Sequence, residues 1–341
     1  MKEPLLSIVI PVYNAARFLP GCIESILAAD LPDTEVLLID DGSVDESLQV
    51  CRDYARRCAG IRVLHQENAG PSAARNRGID ESRGTYIAFL DADDELNAEA
   101  LHRTVCLLSG SRAEMWISDF QRIAANGCVL DRVYQIDPTE QPITDPAYML
   151  RFLSRGDQVW NVWRYVFLRE FLLNNGLRFV QGINCAEDLE FVVRALTRVN
   201  SPVFYHNPYY AYRVFYGDTL TRQYTLRRLK DLMEMLLSAQ RQVQQSQAQW
   251  ADLLGDMLVR EYLINLSLPL EVPPQDRQAA LLECRRGRGL LRMARSRKMR
   301  LCSAVALMLG IRWAAVLVLA LKSIKRRIRK YRIEGWDRKC G

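Results

Sequence analysis

With 341 residues, 49% apolar and 25% charged, the chain has the make-up of a folded protein with room for a catalytic domain of about 200–250 residues and an appendage. Nine cysteines without a C-x-x-C pair and only three histidines exclude a zinc ribbon or a histidine metal cluster, and suit the reduced, buried thiols of a cytosolic protein. The net charge of +6 is unevenly spread: Arg285 to Gly341 holds 18 Lys and Arg against two acids, a net of +16, while the preceding 284 residues hold 28 against 38, a net of −10.

Leu5 to Val12 is a near-continuous apolar run, too short and wrongly flanked for a signal peptide but right for a strand covered on both faces. Tyr13 and Asn14 end it. Phe18, Cys22, Ile26 and Leu27 then keep helical spacing from Arg17 to Ala29. Thr34 to Ile39 reads as a second buried strand, closed by Asp40-Asp41-Gly42-Ser43 and followed by a helix from Asp45 to Cys58. A third strand, Ile61 to His65, leads to Ser72, which can cap a helix over Ala73 to Ser82; Gly84 then precedes the fourth strand, Thr85 to Leu90. This alternation predicts a doubly wound α/β sheet with right-handed crossovers.

The fourth strand runs into Asp91, Asp93, Asp94 and Glu95. Four carboxylates this close repel unless something positive sits among them, and hard divalent ions prefer such oxygens. The alternative is an acidic turn in which Asp94 or Asn97 caps the next helix. Ligands of open α/β sheets bind beyond the carboxyl ends of the strands, and Tyr13-Asn14, Asp40-Asp41 and the acid cluster all converge there. That convergence favours a metal and diphosphate site.

Farther along, the pattern predicts a helix from Ala98 to Ser109, a strand from Glu114 to Phe120 and a hairpin turning at Asn126-Gly127. Trp160, Trp163, Tyr165 and Phe167 suit core packing better than stacking on a sugar. Ala186 to Phe191 places Glu187 and Asp188 at the start of a helix whose apolar face is Leu189, Val192, Val193 and Leu196, where the helix dipole favours carboxylates.

Four segments in this order and spacing carry a resemblance: Ser7 to Asn14 (Ser-Ile-Val-Ile-Pro-Val-Tyr-Asn), Leu38 to Asp45 (Leu-Ile-Asp-Asp-Gly-Ser-Val-Asp), Asn68 to Gly78 and Phe89 to Asp94 (Phe-Leu-Asp-Ala-Asp-Asp). Together they resemble the inverting family 2 glycosyltransferases of GT-A fold, over roughly residues 5 to 220. The resemblance implies that Asp41 receives the nucleotide base, usually uracil, while Asp40 secures the loop. It also places Pro11 and Tyr13 beside base and ribose. The D-x-D pair becomes Asp91 and Asp93, with Asp93 the direct ligand of Mn²⁺ or Mg²⁺ and Asp91 nearer the ribose or a metal-bound water. The segment Asn68 to Arg77 offers Arg75 or Arg77 to phosphate, since a guanidinium suits paired oxygens, the alternative being arginines on a solvated helix face; Arg75 is the candidate. Asp188 takes the role of catalytic base, with Glu187 orienting the acceptor or the loop. Arg213 and Thr219 are candidates for a lid over the donor, although Asp218 stands where a serine is expected.

Leu226 to Leu254 reads as helical, and Pro269, Pro273 and Pro274 mark a break. Leu301 to Leu321 is then 21 residues with one charge, Arg312. Its ten Leu, Ile and Val residues contribute about −3 to −6 kcal/mol to insertion, against roughly +3 for the arginine. Eight basic residues from Arg285 to Arg300 and seven from Lys322 to Arg332 flank it, so a single span would send one cationic flank outward, against the positive-inside rule. Helices lying in the interface, or dipping in and returning, keep both flanks on anionic headgroups. The greasy centre argues against nucleic acid as the partner.

The sequence therefore predicts a GT-A domain over 1–225, divided into a nucleotide-sugar half (1–100) and an acceptor half (101–225), a helical extension over 226–284 and membrane-associating helices over 285–341. The expected activity is transfer of a sugar, with inversion, from a nucleotide sugar, a UDP-sugar by the resemblance, to a glycan or lipid-linked glycan at the cytoplasmic face of the plasma membrane, in surface polysaccharide synthesis. A nucleotidyltransferase is the alternative, but it would want a Gly-rich basic loop where Tyr13-Asn14-Ala15-Ala16 stand. A non-catalytic sugar-nucleotide-binding protein is the other.

Overall fold

The computed structural model describes residues 3–337 except 32, 156–158, 184 and 216–223, with backbone alone over 325–337. The chain divides into two compact units, Met1–Thr219 and Leu220–Gly341.

The first unit is built on one mixed sheet. Its elements are β1 (Leu6–Val12), α1 (Leu19–Leu27), β2 (Thr34–Asp41), α2 (Ser47–Arg57), β3 (Ile61–Gln66), α3 (Pro71–Glu81), β4 (Tyr86–Phe89), β5 (Glu95–Leu96), α4 (Ala98–Leu108), β6 (Met115–Ile123), β7 (Val129–Val133), α5 (Tyr148–Arg155), β8 (Tyr165–Leu168), α6 (Arg169–Asn174), α7 (Glu187–Leu196) and β9 (Pro202–Arg213). The order across the sheet is β3-β2-β1-β4-β8-β6-β9-β5, with β7 paired to β6. The first four strands are parallel, and their register sets Val12 beside Asp40 and Asp41 beside Gln66, so their carboxyl ends share one rim. β8 runs antiparallel to β4 and β6, which turns the parallel half into a mixed sheet.

The unalternating runs are buried on both faces, as Ile8, Ile10, Leu37, Leu38, Ile39 and Ile87 show. Helix α3 lies on β1 at Gly78, where a Cβ would come within 2.1 Å of Val9 Cγ1. The cap expected at Ser72 is not made: α3 begins one residue earlier, at Pro71, because proline's fixed φ suits the first helical position. Gly70, at φ 89°, precedes it. The hairpin turns where expected, with Gly127 at φ 84° and the Ala124 N–H donating to the Cys128 carbonyl.

The second unit is helical: α8 (Leu226–Gln245), α9 (Ala251–Asn265), α10 (Leu268–Glu271), α11 (Arg277–Arg286) and α12 (Arg297–Asp337). The continuous helix expected up to Leu254 is broken between α8 and α9. Leu236, Leu258, Tyr262 and Leu290 share its core, and the Tyr262 hydroxyl donates to the Cys284 carbonyl at 2.6 Å. Residues Arg297–Ile324 are long and apolar enough to cross a membrane by length and composition alone. Yet α12 is bent inside that stretch at Gly310, whose φ of 70° is the left-handed region that glycine enters without steric penalty. Within that apolar stretch the two parts flanking the bend, 297–309 and 311–324, are each about 20 Å long, short of the roughly 30 Å of a bilayer core.

Candidate active site at the carboxyl rim of the sheet

The rim begins with two loops tied together. Asn14, at φ 49°, donates its N–H to Ser43 Oγ at 3.1 Å and accepts the Val44 N–H on Oδ1 at 2.9 Å, linking the turn after β1 to the turn after β2. Tyr13 stands half exposed beside them and Pro11 is partly buried. Asp40 is fully buried against His65, Oδ2 to Nδ1 2.7 Å. Asp41 accepts the N–H groups of Ala69 and Gly70 at 2.9 and 2.8 Å and the Gln66 amide at 2.7 Å, which holds the loop leading into α3. An ionised carboxylate offers about four acceptor sites, so roughly one of Asp41's is left for a base.

After β4 the four acids separate by environment. The Asp94 carboxylate is buried, accepting from the Tyr210 hydroxyl and the Arg213 N–H, both at 2.6 Å. Asn97, not Asp94, caps α4, its Oδ1 accepting the Ala100 N–H at 2.9 Å. The acids are therefore not needed as a helix cap. Burial, and then the charge on Asp91, push the Asp93 carboxyl up to about 6.

Two arginines supply the positive charge that the cluster demanded. Arg213 turns inward instead of reaching over the cleft: its guanidinium donates to the carbonyls of Asp93 (2.8 Å) and Ala125 (2.9 Å) and pairs with Glu95. Its guanidinium donors are set among loop carbonyls and an acid, so Arg213 braces the acidic loop. Thr219 and the rest of that segment lie outside the described residues.

Arg75, on the first turns of α3 and almost fully buried, joins the two chemical landmarks. Its Nη2 donates to Asp91 Oδ1 at 2.8 Å, and its Nη1 lies 3.4 Å from both Glu187 Oε1 and Asp188 Oδ1. Burial works against its charge, but Asp188, Asp91 and Glu187 hold it protonated. The Phe179 ring packs beneath it at 5.4 Å. Asp188 Oδ2 accepts the Val162 N–H at 3.2 Å; among the described residues its Oδ1 accepts no hydrogen bond. Burial raises the Asp188 carboxyl, Arg75 pulls it back, and Glu187 and Asp91 raise it again, leaving it above the ordinary carboxylate range.

Asp91, Glu187 and Asp188 thus meet around one guanidinium although 96 residues of chain separate the first two. Tyr210, Val162 and Phe179, which sequence reasoning passed over, complete the setting. Trp163 is buried as core, stacked on Tyr210 at 4.1 Å, and Tyr165 and Phe167 are buried too. His206 serves structure, its Nδ1 lying 3.0 Å from the Ile136 carbonyl and from Asp119 Oδ2.

Among the described residues no three His, Cys, Asp or Glu side chains form a closed metal cage. Asp91 and Asp93 alone suit an ion that keeps several waters and takes the rest of its oxygens from a substrate's phosphates, as Mg²⁺ does. A carboxyl raised to about 6 by burial and by the charge on Asp91 is also what a cation would relieve.

Comparison with known proteins places this rim. The description "Glycosyl transferase family 2" matches residues 7–179, just over half of the chain. The chain is 34% identical over 215 residues to the uncharacterized glycosyltransferase EpsJ of Bacillus subtilis, 62% of this chain and 61% of that protein. It is 29% identical over 197 residues to the succinoglycan biosynthesis protein ExoO of Rhizobium meliloti, 57% and 56% of the two chains. The chain thus spans about three-fifths of the length of these relatives. In fold it is similar to S. aureus TarS 1-349 in complex with UDP-GlcNAc (TM-score 0.69, 17% identity, 94% of this chain and 92% of that one). It is also similar to the mannosyltransferase PcManGT of Pyrobaculum calidifontis in complex with GDP-Man and Mn²⁺ (0.55, 17%, 95% and 88%). Strand ends that gather Asp41, Asp91 and Asp93 on one edge, and a family match that runs through all of them, lead to one conclusion: this chain belongs to glycosyltransferase family 2 and has the GT-A fold.

Proposed function

We propose that the chain transfers a sugar, with inversion, from a UDP-sugar to a hydroxyl of a glycan held at the cytoplasmic face of a membrane, in the assembly of a surface polysaccharide. The observation that carries the mechanism is the Arg75 junction, which puts Asp91 of the D-x-D pair and Asp188 at two ends of one guanidinium.

In this reading Asp41 accepts the imide N–H of the base, with Pro11 and Tyr13 flanking base and ribose and Asp40 fixing the loop. Asp91 and Asp93 hold Mn²⁺ or Mg²⁺, which when bound neutralises charge on the departing diphosphate. Asp188 Oδ1 receives the acceptor's proton as its oxygen bonds to the anomeric carbon and the bond to the diphosphate breaks. A carboxyl raised above the ordinary range is a better base than an exposed one. Glu187 orients the acceptor side, and Arg75 holds both acids in place. Attack opposite the nucleotide needs no second carboxylate nucleophile.

For the membrane part, the support is the Gly310 bend: two apolar parts too short to span, one preceded and the other followed by basic residues, suit a helix that dips into one leaflet and returns. TarS and PcManGT carry different nucleotides in their complexes, so the donor is the first thing to measure.

Asp188→Asn tests the assignment, because it removes a base and almost no volume. Sugar transfer should fall by about 10²–10⁴-fold, read as UDP release with acceptor present. Binding of UDP and Mn²⁺ in calorimetry should be unchanged. Undiminished turnover would refute the role of Asp188; donor binding with no turnover in the wild type would return the protein to a binding role.

A further inference from the structure

The bent helix encloses a second site. Residues at equal distances on either side of Gly310 line the same groove: Ala306 with Ala314, four residues away, and Cys302 with Val318, eight away. The two arms therefore fold back toward each other. Helix α9 crosses their open end. Near its start, Asp256 accepts the N–H groups of Arg295 (2.6 Å) and Ser296 (2.9 Å), just before the first arm. Past its end, Ser267 Oγ accepts from Lys322 Nζ at 2.8 Å, on the second arm. Those two ties lie 11 residues apart, about 16 Å along a helix. The result is a three-sided groove of about 690 Å³ with α9 as its base and Gly310 at its apex.

The lining has a direction. Arg260 and Lys322 are its charged members and both lie at the base, Lys322 also facing Glu271 at 3.8 Å; the walls toward the apex are Leu, Val and Ala. Exposed Arg297, Lys298 and Arg300 stand on the first turn of the first arm, at the same end. The outer side of the bend carries a different apolar surface, with Met308 and Trp313 exposed and outside the groove lining. A flat bilayer surface can cover that outer side. A groove bounded on three sides can take a hydrocarbon chain lengthwise.

We propose that this groove binds one hydrocarbon chain of a lipid phosphate, with the phosphate at Arg260 and Lys322 and the chain running toward Gly310. This rests on the membrane reading above, and it makes the second unit a binding site for a phosphate-headed lipid as well as an anchor.

Cys302 lines the groove and reports on it. The test uses the full chain, dodecyl phosphate below its self-assembly concentration, and N-ethylmaleimide, with alkylation read peptide by peptide. At ten times Kd, Cys302 should react about tenfold more slowly, while the exposed Cys106 and Cys128 keep their rates. Inorganic phosphate alone should give no protection, and Arg260→Gln and Lys322→Gln should each weaken it. Equal protection by dodecanol would overturn the phosphate assignment, and unaltered Cys302 reactivity would overturn the groove. Flotation on anionic vesicles separates the two readings: a protein that floats with Cys302 unprotected loses this proposal alone, and one that fails to float loses the membrane reading and this with it.

Discussion

The rim of the sheet and the bent helix are opposite solutions to exposure. At the rim, Asp41, Asp91, Asp94 and Asp188 are each bound by backbone or arginine donors. On the bent helix, large apolar side chains stand in the open, Met308 at 79% and Trp313 at 65% exposure. A water-soluble protein rarely leaves such a patch uncovered. The rim concentrates negative charge around two arginines, and the helix concentrates apolar surface between cationic flanks. In the proposed function chemistry and location are therefore separable, and variants of one should leave the other intact.

The strongest break in that parallel is Asp93→Asn. It should weaken Mn²⁺ and UDP binding together, by on the order of 10²-fold or more, while vesicle flotation is unchanged. The same change carries a stability signature. The folded Asp93 carboxyl titrates near 6, above its unfolded value of 3.8, so the folded state binds the extra proton. Its stabilising share is full below about pH 4 and is lost as pH rises through 6. Without metal, Asp93→Asn should raise the unfolding free energy at pH 7 by about 1–2 kcal/mol and flatten its fall between pH 4 and 6, in urea titrations with unchanged m.

From the other side, Trp313→Ala should lower partition onto anionic vesicles by about tenfold, the worth of one large side chain leaving the interface, with UDP release in detergent unaffected. A loss of turnover there would deny the separation. The smallest effect belongs to Gly310→Ala. Nothing lies within 4 Å of the added Cβ, so the penalty is the φ of 70° alone, about 1–2 kcal/mol, seen as a modest fall in the stability of the bend and weaker flotation.

The parallel half of the sheet was legible because its strands are short, apolar and punctuated by polar turns, and the acids after β4 announced a positive partner. That partner was not legible. Arg75 meets Glu187 across 112 residues, and nothing in its neighbours tells it from Arg77, which donates to the His65 carbonyl instead. The brace that Arg213 makes was not legible either, because a guanidinium near acids reads the same whether it faces a substrate or holds a loop. Gly310 escaped notice for a similar reason: a lone glycine in an apolar helical run is common, and nothing in its neighbours announces a positive φ.

Gly78 stands one turn beyond Arg75 on the same helix and carries neither charge nor donor. The hydrogen it has in place of a methyl sets how deep α3 sinks onto Val9, and hence how far the guanidinium extends between the two acids. It acts as a spacer for the electrostatics of the cleft from beneath it, so a substitution there would look like a fault of packing and register as a fault of catalysis.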